Sequence, residues 1–299
     1  MTSPARFPSP VRPGDRVGVA ALSGPLDGDR LERGLRGLER LGFEPVTARN
    51  LASRRGPLAG GDAERLDALH ELAAREDLTA VFFARGGYGS QRVLAGVDWD
   101  LLARHPRAWI GYSDVTPFLL QIVRRLDLVA FHGPMAAVEI AEGLEPEEEA
   151  SLRSALAGRP KLRLDLGTVR PGRASGALLG GCLSLLAAGV GTADQIDLDG
   201  SILFWEDVDE PPYRLDRMLL QLRRAGALDG LAGMVVGRSA IPEGARQEAW
   251  ELFAGTLAGT EFPVAFDCPS GHDRPNLTLP LGASARLEAG SDRGLLLVG

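Results

Sequence analysis

Apolar and polar positions along the chain switch between two periods. Asp15 to Ala21 (DRVGVAA) is a short β-rich run that stops at Ser23-Gly24-Pro25, and Asp29 to Leu41 then carries its apolar residues at helical spacing. The strand, loop and helix pattern recurs. Phe43–Thr47 reads as a strand, Ala63–Ala74 as a helix and Ala80–Ala84 as a strand, and the strand Ala108–Tyr112 runs into a helix from about Val115 to Arg125. Repeated units of this kind predict a mostly parallel sheet covered by helices on both faces.

The pattern changes past the middle. Between Ala141 and Pro160 the composition becomes acidic and helix-prone, with Glu145, Glu147, Glu148 and Glu149, and this run is read as a connection between domains. Beyond it, Lys161–Asp165, Ser201–Trp205, Met234–Gly237, Pro263–Asp267, Ala285–Ala289 and Gly294–Val298 read as strands. Helices are predicted only at Cys182–Ala188 and about Arg214–Ala225. The expected division is therefore a parallel α/β domain over 1–140, a linker over 141–165, and a β-rich domain with a mixed sheet over 166–299. No internal repeat or low-complexity tract breaks the pattern.

Composition narrows the function classes. The 33 Lys plus Arg against 40 Asp plus Glu give a formal charge of −7 over 299 residues, and basic residues never cluster beyond a pair. Phosphate neutralisation needs a basic stripe, so nucleic acid is not an expected partner. No run approaches the roughly 18–20 apolar residues that cross a bilayer. The start of the chain has prolines where a secretory signal has its apolar core. A cytoplasmic protein without a membrane partner is expected. Cys182 and Cys268 sit in apolar settings and cannot make a disulfide framework or a four-thiolate metal site, and neither H-x-x-x-H nor C-x-x-C occurs. No metal and no cofactor is expected.

Four segments carry residues fit for chemistry. In Trp109-Ile110-Gly111-Tyr112-Ser113-Asp114 an apolar strand runs into a serine at a helix start, the context of a nucleophile elbow, although Val115 stands where a glycine is expected. Ser113 or Asp114 also fits as a plain helix cap. Arg85-Gly86-Gly87-Tyr88-Gly89-Ser90 follows a strand, so its glycines let backbone N–H groups approach a ligand and Arg85 can hold a carboxylate, although a tight turn explains the same residues. The dinucleotide spacing G-x-G-x-x-G is absent. Glu206 ends an apolar strand, where a residue orienting a histidine would sit, but four acids within five residues also suit a solvated loop. Gly271-His272-Asp273-Arg274-Pro275-Asn276 is a polar loop whose His272 suits a general base near neutral pH, in competition with His132. His70 and His105 read as surface residues.

Taken together these segments resemble the LD-carboxypeptidase family, the S66 serine peptidases that include muramoyltetrapeptide carboxypeptidases and the microcin C immunity peptidases. The resemblance rests on RGGYGSQRVL (85–94), IGYSDVT (110–116), FHGPM (131–135), LLGGCLSLL (178–186), LFWEDVDEPPYRLDRMLLQL (203–222) and GHDRPNLTLPLG (271–282), which follow the family order over most of the chain. It implies Ser113 as nucleophile, His272 as general base, Glu206 as the residue orienting the histidine, and His132 as structural. It further implies an oxyanion hole from the backbone N–H groups of Asp114 and a glycine of the Gly86-Gly87 turn, taken as Gly87. The implied fold is α/β: a Rossmann-like N-terminal domain with a mostly parallel sheet, plus a β-rich C-terminal domain. The implied substrate is a small peptide, either a murein tetrapeptide ending in D-Ala or a peptidyl-nucleotide. Arg85, with Tyr88 beside it, is the candidate for the terminal carboxylate, and Arg238 a weaker one. Family members are commonly dimers, so a homodimer is expected. Cys182 and Trp205 depart from the family pattern, and an immunity-type enzyme stacks a loop aromatic on its nucleobase. A catalytically silent two-domain binding protein is the competing reading.

Overall fold

The computed structural model describes residues 4–158, 160, 162–241 and 243–299, which leaves Lys161, the predicted start of one strand, outside the described residues. The first half alternates strand and helix: β1 (Arg16–Ala20), α1 (Gly28–Arg40), β2 (Glu44–Thr47), α2 (Asp62–Ala73), β3 (Leu78–Phe83), α3 (Trp99–Arg104), β4 (Ala108–Gly111), α4 (Thr116–Leu126) and β5 (Ala130–His132). Then come α5 (Glu139–Glu142) and α6 (Pro146–Leu156). The second half comprises β6 (Leu162–Arg170), β7 (Gly172–Cys182), α7 (Leu183–Gly189), β8 (Ile202–Glu206), α8 (Pro212–Arg224), β9 (Gly233–Gly237), α9 (Arg246–Thr256), β10 (Val264–Cys268), β11 (Leu279–Leu281), β12 (Ser284–Ala289) and β13 (Arg293–Val298).

The first sheet has six strands in the order β11-β5-β4-β3-β1-β2, and every pairing is parallel except β11 with β5. Strands β3 and β4 are apolar and buried except at the half-buried Thr79, as a helix-covered parallel sheet requires. Phe83, Trp109 and Phe118 pack edge-on or tilted beneath α4 and fix that helix on the sheet.

The second sheet closes into a barrel, β10-β6-β13-β12-β7-β8-β9. Along β12 and β13 buried and exposed positions alternate, so Ala285, Leu287, Leu296 and Val298 fill the interior while Arg286 and Glu288 face outward. The α/β class, with its mostly parallel sheet and β-rich second half, is thus observed.

Several features went beyond the pattern, among them α3, β5 and α5. Strand β7 is 11 residues long, yet its glycines at 172, 176, 180 and 181 hide it from a β-propensity reading. Helix α9 was not anticipated. Strand β11 lies within 166–299 but completes the first sheet, so the chain returns to its first half near its end. The acidic stretch after Ala141 includes α6, whose Leu152 and Ala155 are buried against the body of the protein. Among the described residues no helix is long and apolar enough to cross a membrane.

Candidate active site

Parallel strands deliver their following loops to one edge, and here that edge carries the turn after β1, the glycine turn after β3 and the serine after β4. Ser113 follows Tyr112 directly at the end of β4 and has φ +62°, a conformation that a non-glycine residue adopts only under constraint. That strained turn lifts its hydroxyl into the open. Val115, standing where the elbow motif expects glycine, is fully buried, and the space its side chain needs exists because Gly111 has none.

The glycine turn comes up beside the serine. A Cβ placed on Gly86 would lie 2.8 Å from Ser113 Oγ and 3.5 Å from the Asp114 nitrogen, so only glycine permits this approach. Asp114 holds the arrangement from below. Its buried carboxylate accepts from Ser23 Oγ at 2.5 Å, from the Ser90 N–H at 2.8 Å and from the Gly89 N–H at 3.2 Å. Arg65, fully buried, donates to the Gly89 carbonyl at 2.8 Å and to the Leu22 carbonyl. The sequence offers Asp114 only as a helix cap or an oxyanion-hole N–H and does not point to Arg65, because a buried charge with distant partners leaves no local pattern.

The second half supplies the other groups. Glu206 ends β8 and is fully buried. His272 lies in the loop between β10 and β11, and its Nδ1 is 2.6 Å from Glu206 Oε2 while its Nε2 is 3.0 Å from Ser113 Oγ. The same carboxylate oxygen accepts from the His272 N–H at 3.2 Å and from Ser239 Oγ at 3.3 Å. A Cβ on Gly271 would meet Glu206 Oε2 at 2.6 Å, so the residue before the histidine must lack a side chain. Tyr112 packs edge-on against the imidazole, with ring centroids 4.9 Å apart.

Burial disfavours the charged imidazole, yet the hydrogen bond and charge of Glu206 outweigh it and raise the His272 pKa above its ordinary value. Burial likewise opposes ionisation of Glu206, but the hydrogen bond and charge of His272 prevail and hold its pKa below the usual carboxylate range. His132, the competing base, is buried between Tyr112 and Phe204, and burial pulls its pKa down to about 4. It is not among the residues lining the cleft.

Ser113 and His272 open into a cleft of about 370 Å³ lined also by Leu26, Arg30, Arg85, Gly86, Gly87 and Val208. Arg85 is exposed there, donates to the Pro25 carbonyl at 3.2 Å and forms no ion pair among the described residues. Tyr88 is exposed but is not among the lining residues, because the chain turns away after Gly87. Arg238 is exposed after β9 and also lies outside the lining. Cys182 and Trp205 are buried behind the site. Cys182 pairs with Glu206 across β7 and β8, and burial lifts its thiol pKa well above the usual range. Trp205 packs on Phe253, and Trp250 packs on Phe253 and Phe266, so both indoles belong to the second-half core.

Comparison with known proteins places the chain in a family. Residues 17–133 match the LD-carboxypeptidase N-terminal domain, and residues 175–287 match the LD-carboxypeptidase C-terminal domain. The chain is 35% identical to the probable murein peptide carboxypeptidase of Bacillus subtilis, over 98% of this chain and 94% of that protein. It is also 35% identical to the murein tetrapeptide carboxypeptidase of Pseudomonas aeruginosa, over 91% and 93%. Among solved structures, the muramoyltetrapeptide carboxypeptidase of Oxalobacter formigenes superposes with a TM-score of 0.85 at 28% identity, covering 95% of this chain and 98% of the other. An MccF-like protein from Bacillus anthracis shares the fold, with a TM-score of 0.88 at 22% identity over 99% and 100%. Through both of its halves the chain belongs to the LD-carboxypeptidase family of S66 serine peptidases.

Proposed function

We propose that this chain is a serine LD-carboxypeptidase that removes the C-terminal D-Ala of murein tetrapeptides, with Ser113 as nucleophile, His272 as general base and Glu206 as the residue that orients the histidine. One observation carries the reading: the hydrogen-bond chain from Ser113 Oγ to His272 Nε2 at 3.0 Å and from His272 Nδ1 to Glu206 at 2.6 Å. Glu206 accepts the hydrogen bond from Nδ1–H, which keeps the proton on Nδ1 and leaves the lone pair of Nε2 for the serine. Ser113 Oγ then attacks the carbonyl carbon while its proton passes to Nε2. The developing oxyanion is received by the backbone N–H groups of Asp114 and Gly87. Collapse of the tetrahedral intermediate breaks the C–N bond, and His272 returns the proton to the leaving D-Ala nitrogen. Water activated by the same imidazole attacks the acyl-enzyme and releases the tripeptide.

Arg85, the cation of the cleft without an ion-pair partner among the described residues, holds the terminal carboxylate in this reading. The division into a serine-bearing domain over 1–140, a connection over 141–165 and a domain over 166–299 bearing Glu206 and His272 belongs to the same proposal. So do cytoplasmic action and a homodimer, both carried over from the family. Cleavage of a peptidyl-nucleotide is the weaker alternative, because neither Trp205 nor Trp250 lines the cleft where a nucleobase would stack. The test is incubation with L-Ala-γ-D-Glu-meso-diaminopimelate-D-Ala beside the Ser113→Ala variant, with D-Ala followed by mass spectrometry. Release by the native protein alone is expected. No release by either would turn the assignment toward the peptidyl-nucleotide amide.

A further inference from the structure

We infer that Glu148, a fully buried carboxylate on α6, is a positioning residue for His272, acting through Asn276 and Arg274; the inference rests on His272 being the general base. The loop that carries His272 comes from the second half of the chain, while the serine it must reach stands on the first sheet. Something has to set the distance between them. Glu206 fixes the imidazole from its own half, but among the described residues none of its hydrogen bonds refers the loop to the first sheet.

Glu148 makes that connection. Its Oε1 accepts from the Asn276 N–H at 2.8 Å and from Arg274 Nε at 3.2 Å, and its Oε2 takes the Arg274 guanidinium and the Glu145 N–H at 2.8 Å. Arg274 also donates to the Gly143 carbonyl at 2.7 Å. Asn276, itself fully buried, passes the constraint on: its Oδ1 accepts from the Gly271 N–H at 3.0 Å, one residue before His272. Its Nδ2 donates to Glu139 at 3.3 Å, and Glu139 in turn accepts from the Tyr112 hydroxyl at 2.6 Å, next to Ser113. The loop is thereby tied at both ends, to α6 and to the residue before the nucleophile. A buried carboxylate satisfied by four donors is rigid, since each lost bond leaves an unpaired polar group out of water.

Glu148 touches neither Ser113 nor the cleft, so its loss should alter chemistry and not binding. The experiment compares native protein, Glu148→Ala, Glu148→Gln and Arg274→Ala by two readouts. One is the rate at which a fluorophosphonate labels Ser113, which needs the histidine but no peptide. The other is kcat and KM for the tetrapeptide. Glu148→Ala is expected to lower the labelling rate and kcat together by roughly 10- to 100-fold, the cost of a misplaced catalytic group, with KM within about twofold. Glu148→Gln should recover much of this, because its carbonyl still accepts the Asn276 N–H. Labelling and kcat at the native rate in a folded Glu148→Ala protein would overturn the proposal. If that variant does not fold, unchanged labelling and kcat in Arg274→Ala, which removes the guanidinium that Glu148 holds, would do so. Failure of the native protein to be labelled refutes the nucleophile and this proposal together. Labelling without D-Ala release refutes only the substrate.

Discussion

The imidazole of His272 is placed between two opposing effects, and their balance makes a pH signature. Burial lowers its pKa while the Glu206 hydrogen bond and charge raise it, with a net rise above the ordinary 6.5. A general base must be neutral, so kcat/KM should climb with pH through a limb lying above about 6.5. Replacing Glu206 with Gln removes the anion but leaves the burial, so the limb should move downward. The rate should also fall by on the order of 10³- to 10⁴-fold, because an amide donor at Oε2 favours the wrong tautomer. A limb that stays in place in Glu206→Gln would assign the titration to another group. Arg85 yields a different signature, since a carboxylate contact made equally in ground and transition states acts on binding. Arg85→Ala should raise KM for the tetrapeptide by roughly tenfold or more with kcat little changed. Steady-state kinetics check this directly, and an unchanged KM would remove Arg85 from the site.

At the level of elements, what could be read from the chain depended on how local its cause is. Strands β3 and β4 and helices α1 and α4 follow from apolar spacing within one segment, so their positions were evident to within a few residues. Strand β7 was not, because two of its four glycines make room for neighbouring backbone: a Cβ on Gly176 would lie 2.1 Å from the Gly200 carbonyl oxygen, and one on Gly180 1.7 Å from that of Phe204. The same division runs through the site. Ser113, Glu206 and His272 stood out because each lies in a quoted motif at the end of a strand or in a polar loop. The side chains that hold them were invisible for a physical reason. Asp114 and Arg65 grip the glycine turn from residues 25 and 24 positions away, and Glu148 reaches Asn276 across 128. Glu148 in particular stood in an acidic run that reads as a connection between domains, and only the packing of α6 turns one of those four glutamates inward. Tyr88 stands beside Arg85 in the motif and is exposed, yet it is not among the residues that line the cleft.

For the whole molecule, Ser113 on one side and Glu206 and His272 on the other come from two halves that are threaded together rather than set side by side. Strand β11 belongs to the second half by sequence, yet it hydrogen-bonds to β5 and forms the edge of the first sheet. The Ala5 N–H donates to the Gly282 carbonyl, Thr278 to Ser151, and Cys182 to Thr116, so polar contacts between the halves extend well beyond the catalytic groups. Inter-domain surfaces that are small and wet allow their domains to melt separately. Here the barrel cannot withdraw without stripping a strand from the first sheet and breaking the bonds of Asn276 to Glu148 and Glu139. Heating should therefore give one endotherm by scanning calorimetry, in which loss of Ser113 labelling coincides with loss of helical signal. Two resolved endotherms would mean that β11 and the carboxylate contacts are too weak to couple the halves. The distance from Ser113 to His272 would then be set by a flexible joint, and activity would disappear before the first sheet melts.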